Sequence, residues 1–271
     1  MTLSTTMRSV CVSFHSMMRR ATLVATAAVL TTGCGTEDAA DPLQPTGPTG
    51  RIRFVNLITD PARNPVNAIL ENLPFGVGLA YTAATPASLP APSTAFYSPV
   101  LTGDRSLVVV RTAAPATTLV TIPVTVAADN DYTVFATGGT AGAAVTGFTV
   151  TDATTAIPTG EARIRVINMS PAAGAVDVFI TAANADLAAA TPAATALAHR
   201  AVFAGRTVTP GTWQVRTVPA GTAPAARTAA VNTTITFTGT GALAAGQSRT
   251  IVIADAAAGG APVRSFALSD Q

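Results

Sequence analysis

Hydrophobic and polar residues alternate over long parts of this chain. The clearest case is the segment ARIRVINMSPAAGAVDVFI at positions 162–180, in which Ile164 and Val166 alternate with Arg163 and Arg165. A period of two predicts half-buried strands that turn one face to a core. The alternation resumes after the residues Ser-Pro-Ala-Ala-Gly, so the segment is predicted to form two strands joined by a turn.

The same pattern recurs near the front of the chain. Residues 51–56, RIRFVN, align with residues 163–168, RIRVIN, with identities at both arginines, the first isoleucine and the asparagine. Further matches follow in the same order, for example Asp152 with Asp270. A repeat of roughly 110 residues is too long for a solenoid unit and has the size of an independent domain. We therefore expect a tandem duplication of one domain.

Short apolar runs separated by Gly and Pro predict the strands. In the first half they fall at residues 51–57, 66–70, 107–111, 119–126, 132–137 and 145–151. Pro123 lies inside one of these runs, and because proline cannot donate to a ladder, that run is predicted to be an edge strand. In the second half, Trp213 and Val215 alternate with polar residues in the same way. The sequence thus predicts an all-β protein of two tandem immunoglobulin-like antiparallel β-sandwich domains, at residues 51–157 and 161–271.

Several motifs of the second half resemble a known bacterial family. They are a strand with a Ser-Pro turn (166–171), an Ala-Val-Asp-Val strand (175–178), a Pro-Gly turn before a strand (210–216) and a later hairpin (243–254). Over most of residues 161–271 the chain resembles the family called domain of unknown function 4397. The first half fits more loosely, with Thr59-Asp60-Pro61 in place of Ser-Pro.

The resemblance implies a fold and a surface location, because the family has no established activity. Many family members carry a histidine before the Ser-Pro turn, and here Asn168 and Asn56 occupy that place. Any chemistry that the histidine serves elsewhere is therefore absent from this protein.

Composition narrows the class of protein. The 271 residues are 48% hydrophobic and only 11% charged, which is too apolar for a disordered chain. Three of the sixteen basic residues, Arg8, Arg19 and Arg20, precede Cys34, so thirteen arginines face fourteen acids in the remainder. No basic stripe is left, and nucleic acid is therefore not expected as a partner.

The N-terminus has the parts of an export signal. Two arginines precede the short apolar run 21–30, and Thr-Thr-Gly-Cys follows, which resembles the lipobox of bacterial lipoproteins. We expect residues 1–33 to be a signal peptide, with translation starting at Met17 or Met18, and Cys34 to be lipidated. Residues 34–50 then form the lipidated end and a flexible tether. The alternative is an ordinary secretory signal that is cut elsewhere and leaves Cys34 as a free thiol.

Cysteine usage agrees with export. Cleavage before Cys34 leaves it as the only cysteine, so no disulfide can form within the chain. Multiple acyl chains would hold the protein stably on a membrane. The expected location is the cell envelope, at the outer membrane or cell surface, and the membrane is the first expected partner.

Few residues offer site chemistry. His199 is the only histidine after Cys34, and a single histidine without a cysteine or a carboxylate cluster builds neither a metal site nor a Ser-His-Asp relay. It is interpreted as a surface residue. Asp129-Asn130-Asp131 resembles part of a calcium loop, but the matching turn in the second half has no acid, so a plain turn is favoured. No metal, cofactor or catalytic residue is predicted.

Two aromatic residues and two pairs of arginines remain. Phe75 and Tyr81 lie in a segment that is longer and richer in proline than its counterpart in the second half, and neither residue has a match there. They are candidates for a contact surface with an unknown protein or glycan partner. The alternative is that they belong to the core. The arginines at 51/53 and 163/165 share one strand face, and the pattern favours a solvated face over a carboxylate site.

The predicted function is a non-catalytic binding or structural module, anchored at the cell envelope as a lipoprotein. The alternative is an exported carbohydrate-binding accessory protein, which requires exposed, coplanar Phe75 and Tyr81. A hydrolytic enzyme is the less favoured reading, and it requires a deep cleft between the domains with converging polar groups.

Overall fold

In a computed structural model of the protein, the described residues are 47–86, 96–152 and 154–270. The predicted signal peptide, Cys34 and most of the tether lie outside these ranges. Within them, the regular structure consists of strands and four short 3-10 turns. No helix among the described residues has the length and apolar character needed to cross a bilayer. The predicted all-β class is confirmed.

Among the described residues, nine strands belong to the first sandwich, and they form two sheets. The inner sheet has the order β4-β1-β8-β9, with β5 also paired to β1, and the outer sheet has the order β3-β2-β6-β7. The strands are β1 (Thr49–Ile58), β2 (Val66–Leu70), β3 (Leu73–Leu79), β4 (Ala84–Thr85), β5 (Ser98–Leu101), β6 (Gly103–Arg111), β7 (Ala114–Val126), β8 (Asp131–Gly138) and β9 (Val145–Asp152).

Eight strands make up the second sandwich in a similar arrangement. Its inner sheet has the order β13-β10-β16-β17, and its outer sheet has the order β12-β11-β14-β15. The strands are β10 (Ala162–Asn168), β11 (Val176–Thr181), β12 (Ala194–Leu197), β13 (Val202–Val208), β14 (Trp213–Pro219), β15 (Thr233–Phe237), β16 (Ser248–Ala254) and β17 (Arg264–Ser269).

Each sandwich closes its own core, as the alternation predicts. In β1, Ile52 and Phe54 point between the two sheets of the first sandwich and are fully buried. In β10, Ile164 and Val166 do the same in the second. The edge position predicted from Pro123 is also confirmed, because β7 ends its sheet.

One strand pair in each sandwich differs from a wholly antiparallel arrangement. β1 pairs in parallel with β8, with Val55 opposite Phe135, and β10 pairs in parallel with β16, with Ile167 opposite Val252. Parallel neighbours need a long connection, and here β2 to β7 and β11 to β15 supply it. The equivalent registers relate positions of β1 and β8 to positions of β10 and β16.

The two inner sheets pack against each other through the faces turned away from their own cores. A third apolar cluster fills this interface: Val55, Leu57, Phe135, Val150, Ile167, Met169, Val252, Ala254 and Leu268. The inner strands are therefore covered on both faces, as parallel strands usually are. The four sheets stack as outer, inner, inner and outer layers of one compact unit.

The connection between the sandwiches is fixed to the second one. Arg163 donates from Nη1 to the carbonyl oxygen of Thr155 at 2.8 Å and from Nη2 to that of Ala156 at 3.1 Å. These bonds hold the short junction against β10.

Candidate functional site

The arginine pairs on β1 and β10 do not form the predicted solvated face. Arg53 and Arg165 are each 2% exposed and Arg163 is 8% exposed, whereas the side chain of Arg51 is about half exposed. The interpretation was wrong for three of the four residues, because the face that carries them packs against the other inner sheet rather than against water.

Arg53 and Arg165 form reciprocal ion pairs across the interface between the sandwiches. Arg53 Nη2 lies 3.0 Å from Oδ1 of Asp270, in the second sandwich, and Arg165 Nη1 lies 2.9 Å from Oδ1 of Asp152, in the first. A weaker contact of 3.7 Å joins Arg53 to Asp152. We call these two arginines and two aspartates the buried quartet.

Hydroxyl groups add further hydrogen bonds to both carboxylates of the buried quartet. Thr133 donates to Asp152 Oδ2 at 2.5 Å, and Thr250 donates to Asp270 Oδ2 at 2.8 Å, so each threonine serves the aspartate of its own sandwich. The hydroxyl of Thr133 also accepts from Arg53 Nη2 at 2.8 Å. Each carboxylate is thus bound by groups from both sandwiches.

Tyr97 covers one side of the buried quartet. Its hydroxyl donates to Asp152 Oδ2 at 2.9 Å, and the guanidinium of Arg53 lies 4.5 Å from the centre of its ring. Burial is the main cause that raises the pKa of Tyr97 above its usual value. The register places Gly205 at the equivalent point of the second sandwich, where the backbone approaches Arg165 closely.

The chemistry of the buried quartet is that of an orienting device. Two positive and two negative charges cancel, and the desolvation of such a group offsets much of its Coulomb energy. Its bonds form only when the two inner sheets meet in one register, whereas an apolar interface alone tolerates sliding. The buried quartet therefore selects one arrangement of the two sandwiches.

Asn56 and Asn168 have the same structural role in both sandwiches. Each is fully buried, and each side-chain amide donates to the carbonyl oxygen of the last residue of an outer-sheet strand, Leu79 of β3 or Leu197 of β12, at 3.0 Å. Each side-chain oxygen accepts the backbone N–H two residues later. The asparagines thus hold the turn that follows the first strand of each sandwich.

The two candidate contact residues are both partly buried. Phe75 packs against the core of the first sandwich. Tyr81 packs against the interface cluster and donates from its hydroxyl to the carbonyl oxygen of Asp255 at 2.7 Å. Burial raises the pKa of Tyr81 to about 12, with a further contribution from the Asp255 carboxylate. Their surroundings are those of packed aromatic residues rather than of a flat binding platform.

The remaining candidates show structural bonding. His199 is exposed, and partial burial and the charge of Arg200 lower its pKa. Asp131 accepts two hydrogen bonds from Arg51, at 2.7 and 2.6 Å, which leaves its carboxylate engaged in an ion pair. Among the described residues, no group of three or more His, Cys, Asp or Glu could hold a metal ion.

Ser170 and Asp255 are the nearest approach to a hydrolase pair among the described residues of the second sandwich. Ser170 is fully buried, its hydroxyl donates to the carboxylate of Asp255, and its oxygen accepts the N–H of Ala173 at 2.9 Å. A nucleophile needs an accessible oxygen and a base that takes its proton. Ser170 instead closes the Ser-Pro turn.

A crevice of about 350 Å³ opens at one edge of the interface, between β4 and β17. Its lining residues come from both sandwiches: Arg53, Thr82, Ala83, Ala84, Pro86, Phe96, Phe266, Ala267, Leu268 and Ser269. Arg53 is the charged residue of this lining, and its donors are engaged by Thr133, Asp270 and the carbonyl oxygen of Ser269.

The sequence carried a signal for the buried quartet that the alternation alone did not reveal. The repeat aligns Asp152 with Asp270 as well as arginine with arginine, and two matched pairs of opposite charge are more than a solvated face requires. Tyr97 and the two threonines had no comparable signal.

Comparison with known protein families gives a match that covers the first sandwich. A search of curated proteins finds none that matches the chain. Residues 50–179 match the family described as Domain of unknown function (DUF4397). The matched region runs from the start of β1 through the whole first sandwich and into β11 of the second. Residues 50–179 of this chain therefore belong to the DUF4397 family.

Proposed function

We propose that this protein is a non-catalytic structural or binding module of the cell envelope, in which two sandwiches act as one stiff body. The observation that carries the proposal is the buried quartet, whose ion pairs cross the interface in both directions. A body of four stacked sheets presents its surfaces at fixed distances and angles, which suits a spacer or a scaffold.

In this proposal the protein is an exported lipoprotein that acylation of Cys34 holds at the outer membrane or cell surface. The support is the sequence pattern around Cys34, which lies outside the described residues. The chain between Cys34 and Thr49 reaches at most about 50 Å when fully extended. That length lets the first sandwich stand clear of lipid headgroups.

We further infer that the second sandwich is a second copy of the same module. The support is the shared position of the parallel central pair, of the two buried asparagines and of the threonine–aspartate bonds. A duplication followed by closure of the interface gives a protein in which each copy supplies half of the buried quartet.

Mass spectrometry of the mature N-terminus tests the anchoring. The expected result is an N-terminal Cys34 that carries acyl chains, and a Cys34→Ala variant that is released from the membrane fraction. An N-terminus at another residue, with Cys34 unmodified, would refute the lipoprotein assignment and leave the stiff-body proposal standing.

Denaturant unfolding of the soluble chain from residue 36 tests the stiff body. The single tryptophan, Trp213, reports on the second sandwich, and the three tyrosines, Tyr81, Tyr97 and Tyr132, all lie in the first. The two signals are expected to change together, as for one cooperative unit. Two separated transitions would show that the sandwiches behave as independent beads.

Phe135 offers a matched variant for that experiment. It is fully buried in the interface cluster rather than in either sandwich core. Phe135→Ala is expected to separate the tryptophan and tyrosine transitions, because truncation of a buried phenylalanine costs about 3–5 kcal/mol.

A further inference from the structure

The crevice between β4 and β17 has an equivalent on the opposite edge of the interface, and the two differ in one respect. Through the register of the inner sheets, Thr82 corresponds to Arg200 and Phe266 corresponds to Phe148. Thr82 and Arg200 also make the same backbone hydrogen bond. The N–H of Thr82 donates to the carbonyl oxygen of Asn56, and the N–H of Arg200 donates to that of Asn168.

At the opposite edge of the interface, Arg200 lies over the ring of Phe148. The guanidinium of Arg200 is 5.4 Å from the centre of the Phe148 ring, and Nη2 donates to Thr146 Oγ1 at 2.9 Å. A guanidinium over an aromatic face is attracted by the ring quadrupole. The second sandwich thus shows which group this kind of edge accommodates.

At the crevice itself, the position of Arg200 is taken by the shorter side chain of Thr82, which is one of the lining residues. Phe266 lines the crevice together with Thr82 and Phe96, and the side chain of Phe266 is partly exposed. The volume of about 350 Å³ exceeds what a guanidinium and its methylene stem need. Phe266 thus borders the crevice at the position where Phe148 meets Arg200 at the opposite edge.

We propose that this crevice binds a guanidinium group, as presented by an arginine side chain of a partner protein, stacked on Phe266. The hydroxyl of Thr82 and backbone oxygens of β17 offer acceptors at its edges. Ala267 lies on β17, which ends its sheet, and it stands opposite Ile251 of β16.

The charges near the crevice permit a cation. Arg53, the charged residue of the lining, is compensated by Asp270 and Asp152. Arg264, two residues before Phe266, is the arginine of β17 and lies 5.9 Å from the centre of the Tyr81 ring. Its repulsion limits affinity and makes the charge of the ligand a direct test.

Calorimetric titration of the soluble chain with N-acetyl-arginine amide tests the proposal, with the neutral N-acetyl-citrulline amide and the anionic N-acetyl-glutamate amide as ligand controls. The expected result is one saturable site for the arginine ligand and no saturation with the other two. Preference for the glutamate ligand, or no saturable binding of arginine, would overturn the proposal.

Two reciprocal substitutions sharpen the test. Thr82→Arg supplies the missing side chain and is expected to abolish binding, whereas Arg200→Thr opens the second site and is expected to give two equivalents. The backbone suits both changes, because φ is 68° at Thr82 and 65° at Arg200. Unchanged stoichiometry in both variants would refute the equivalence of the sites.

Phe266→Leu separates ring stacking from general apolar contact. Loss of a partly exposed cation–π contact weakens binding roughly two- to five-fold. Thermal unfolding of each variant confirms that the fold is kept, and Phe75→Leu, at a ring outside the crevice, is the matched control and is expected to bind as the unaltered chain does. Equal affinity of Phe266→Leu and the control would contradict the assigned ring.

Discussion

The guanidinium of Arg53, on the first strand of the first sandwich, lies 3.0 Å from the carboxylate of Asp270, just after the last strand of the second. Both side chains are less than one-tenth exposed. Arg53→Ala is therefore expected to destabilise the protein by about 3–5 kcal/mol, because it leaves a buried carboxylate without its partner. Urea unfolding measures the loss.

Arg206→Ala is the control for that substitution. Arg206 is exposed and belongs to the same inner-sheet system, so its removal is expected to change stability by less than about 0.5 kcal/mol. Joint replacement of Arg53 by Met and Asp270 by Leu is expected to recover much of the loss, since no charge then stays buried alone. An Arg53→Ala variant as stable as the Arg206→Ala control contradicts the role of the ion pair.

Gly205 is expected to be sensitive to a single added methyl group. Its φ is +120°, and a Cβ there would lie 2.8 Å from Arg165 Cγ and 3.0 Å from the carbonyl oxygen of Ile164. Gly205→Ala is predicted to cost about 1–3 kcal/mol through strain and overpacking. Gly241→Ala, with open space around it and an ordinary φ, is the comparison variant. Thermal unfolding of the pair decides the question, and equal melting temperatures would speak against it.

Asn168 is predicted to be more important for stability than an asparagine in an exposed turn. Asn168→Ala removes two donated hydrogen bonds and one accepted bond at a site that is fully buried. Leaving such groups unsatisfied costs about 1–3 kcal/mol each. Asn130→Ala, whose side chain makes one exposed bond to Ala128, should have little effect on the urea midpoint. Similar midpoints for the two variants would disprove the prediction.

Tyr81 is predicted to make stability fall as the pH rises above 10. Its pKa is raised from 10.0 to about 12 in the folded protein, so the unfolded chain releases the proton first. The unfolded state then binds fewer protons, and the free energy of unfolding decreases with pH between these two values. Tyr97 acts in the same direction.

Absorbance titration of the tyrosines measures their pKa values in the folded protein, and urea unfolding at several pH values measures the effect on stability. Unfolding in urea from pH 9 to 12 should show a shallower decline for Tyr81→Phe than for the unaltered chain, because a phenylalanine has no proton to release. A slope that the substitution leaves unchanged would show that Tyr81 ionises as freely in the folded protein as in the unfolded chain.

The strands that alternate strictly were predictable from the sequence. The segment 66–70 was predicted with the bounds of β2, and the strands around Phe54, Val134 and Val150 were placed within two residues. Prediction missed β3, β4 and β5, which contain or border proline and glycine and lack a clear period. Local pattern is weak in such strands because their positions depend on the neighbouring strand.

The interface between the sandwiches was not predicted, for a physical reason. Alternation shows that Arg53 and Ile52 face opposite ways, but it does not show whether the polar face meets water or another sheet. The uninterrupted apolar runs at 134–136 and 251–254 were the better indicator, since a strand that is apolar on both faces is covered on both. Parallel pairing of β1 with β8 was equally hidden, because it joins residues far apart in the chain.

The parallel pairing also sets the order in which this protein can assemble. Side chains of β1 meet those of β8 across 80 positions, and Arg53 meets Asp270 across 217. A chain that leaves a ribosome or a translocation channel from its N-terminus cannot complete β1 until β8 has emerged, and the bond to Asp270 comes last. Such distant contacts slow folding. The emerging chain would then need a chaperone most while the edges of β1 are still exposed.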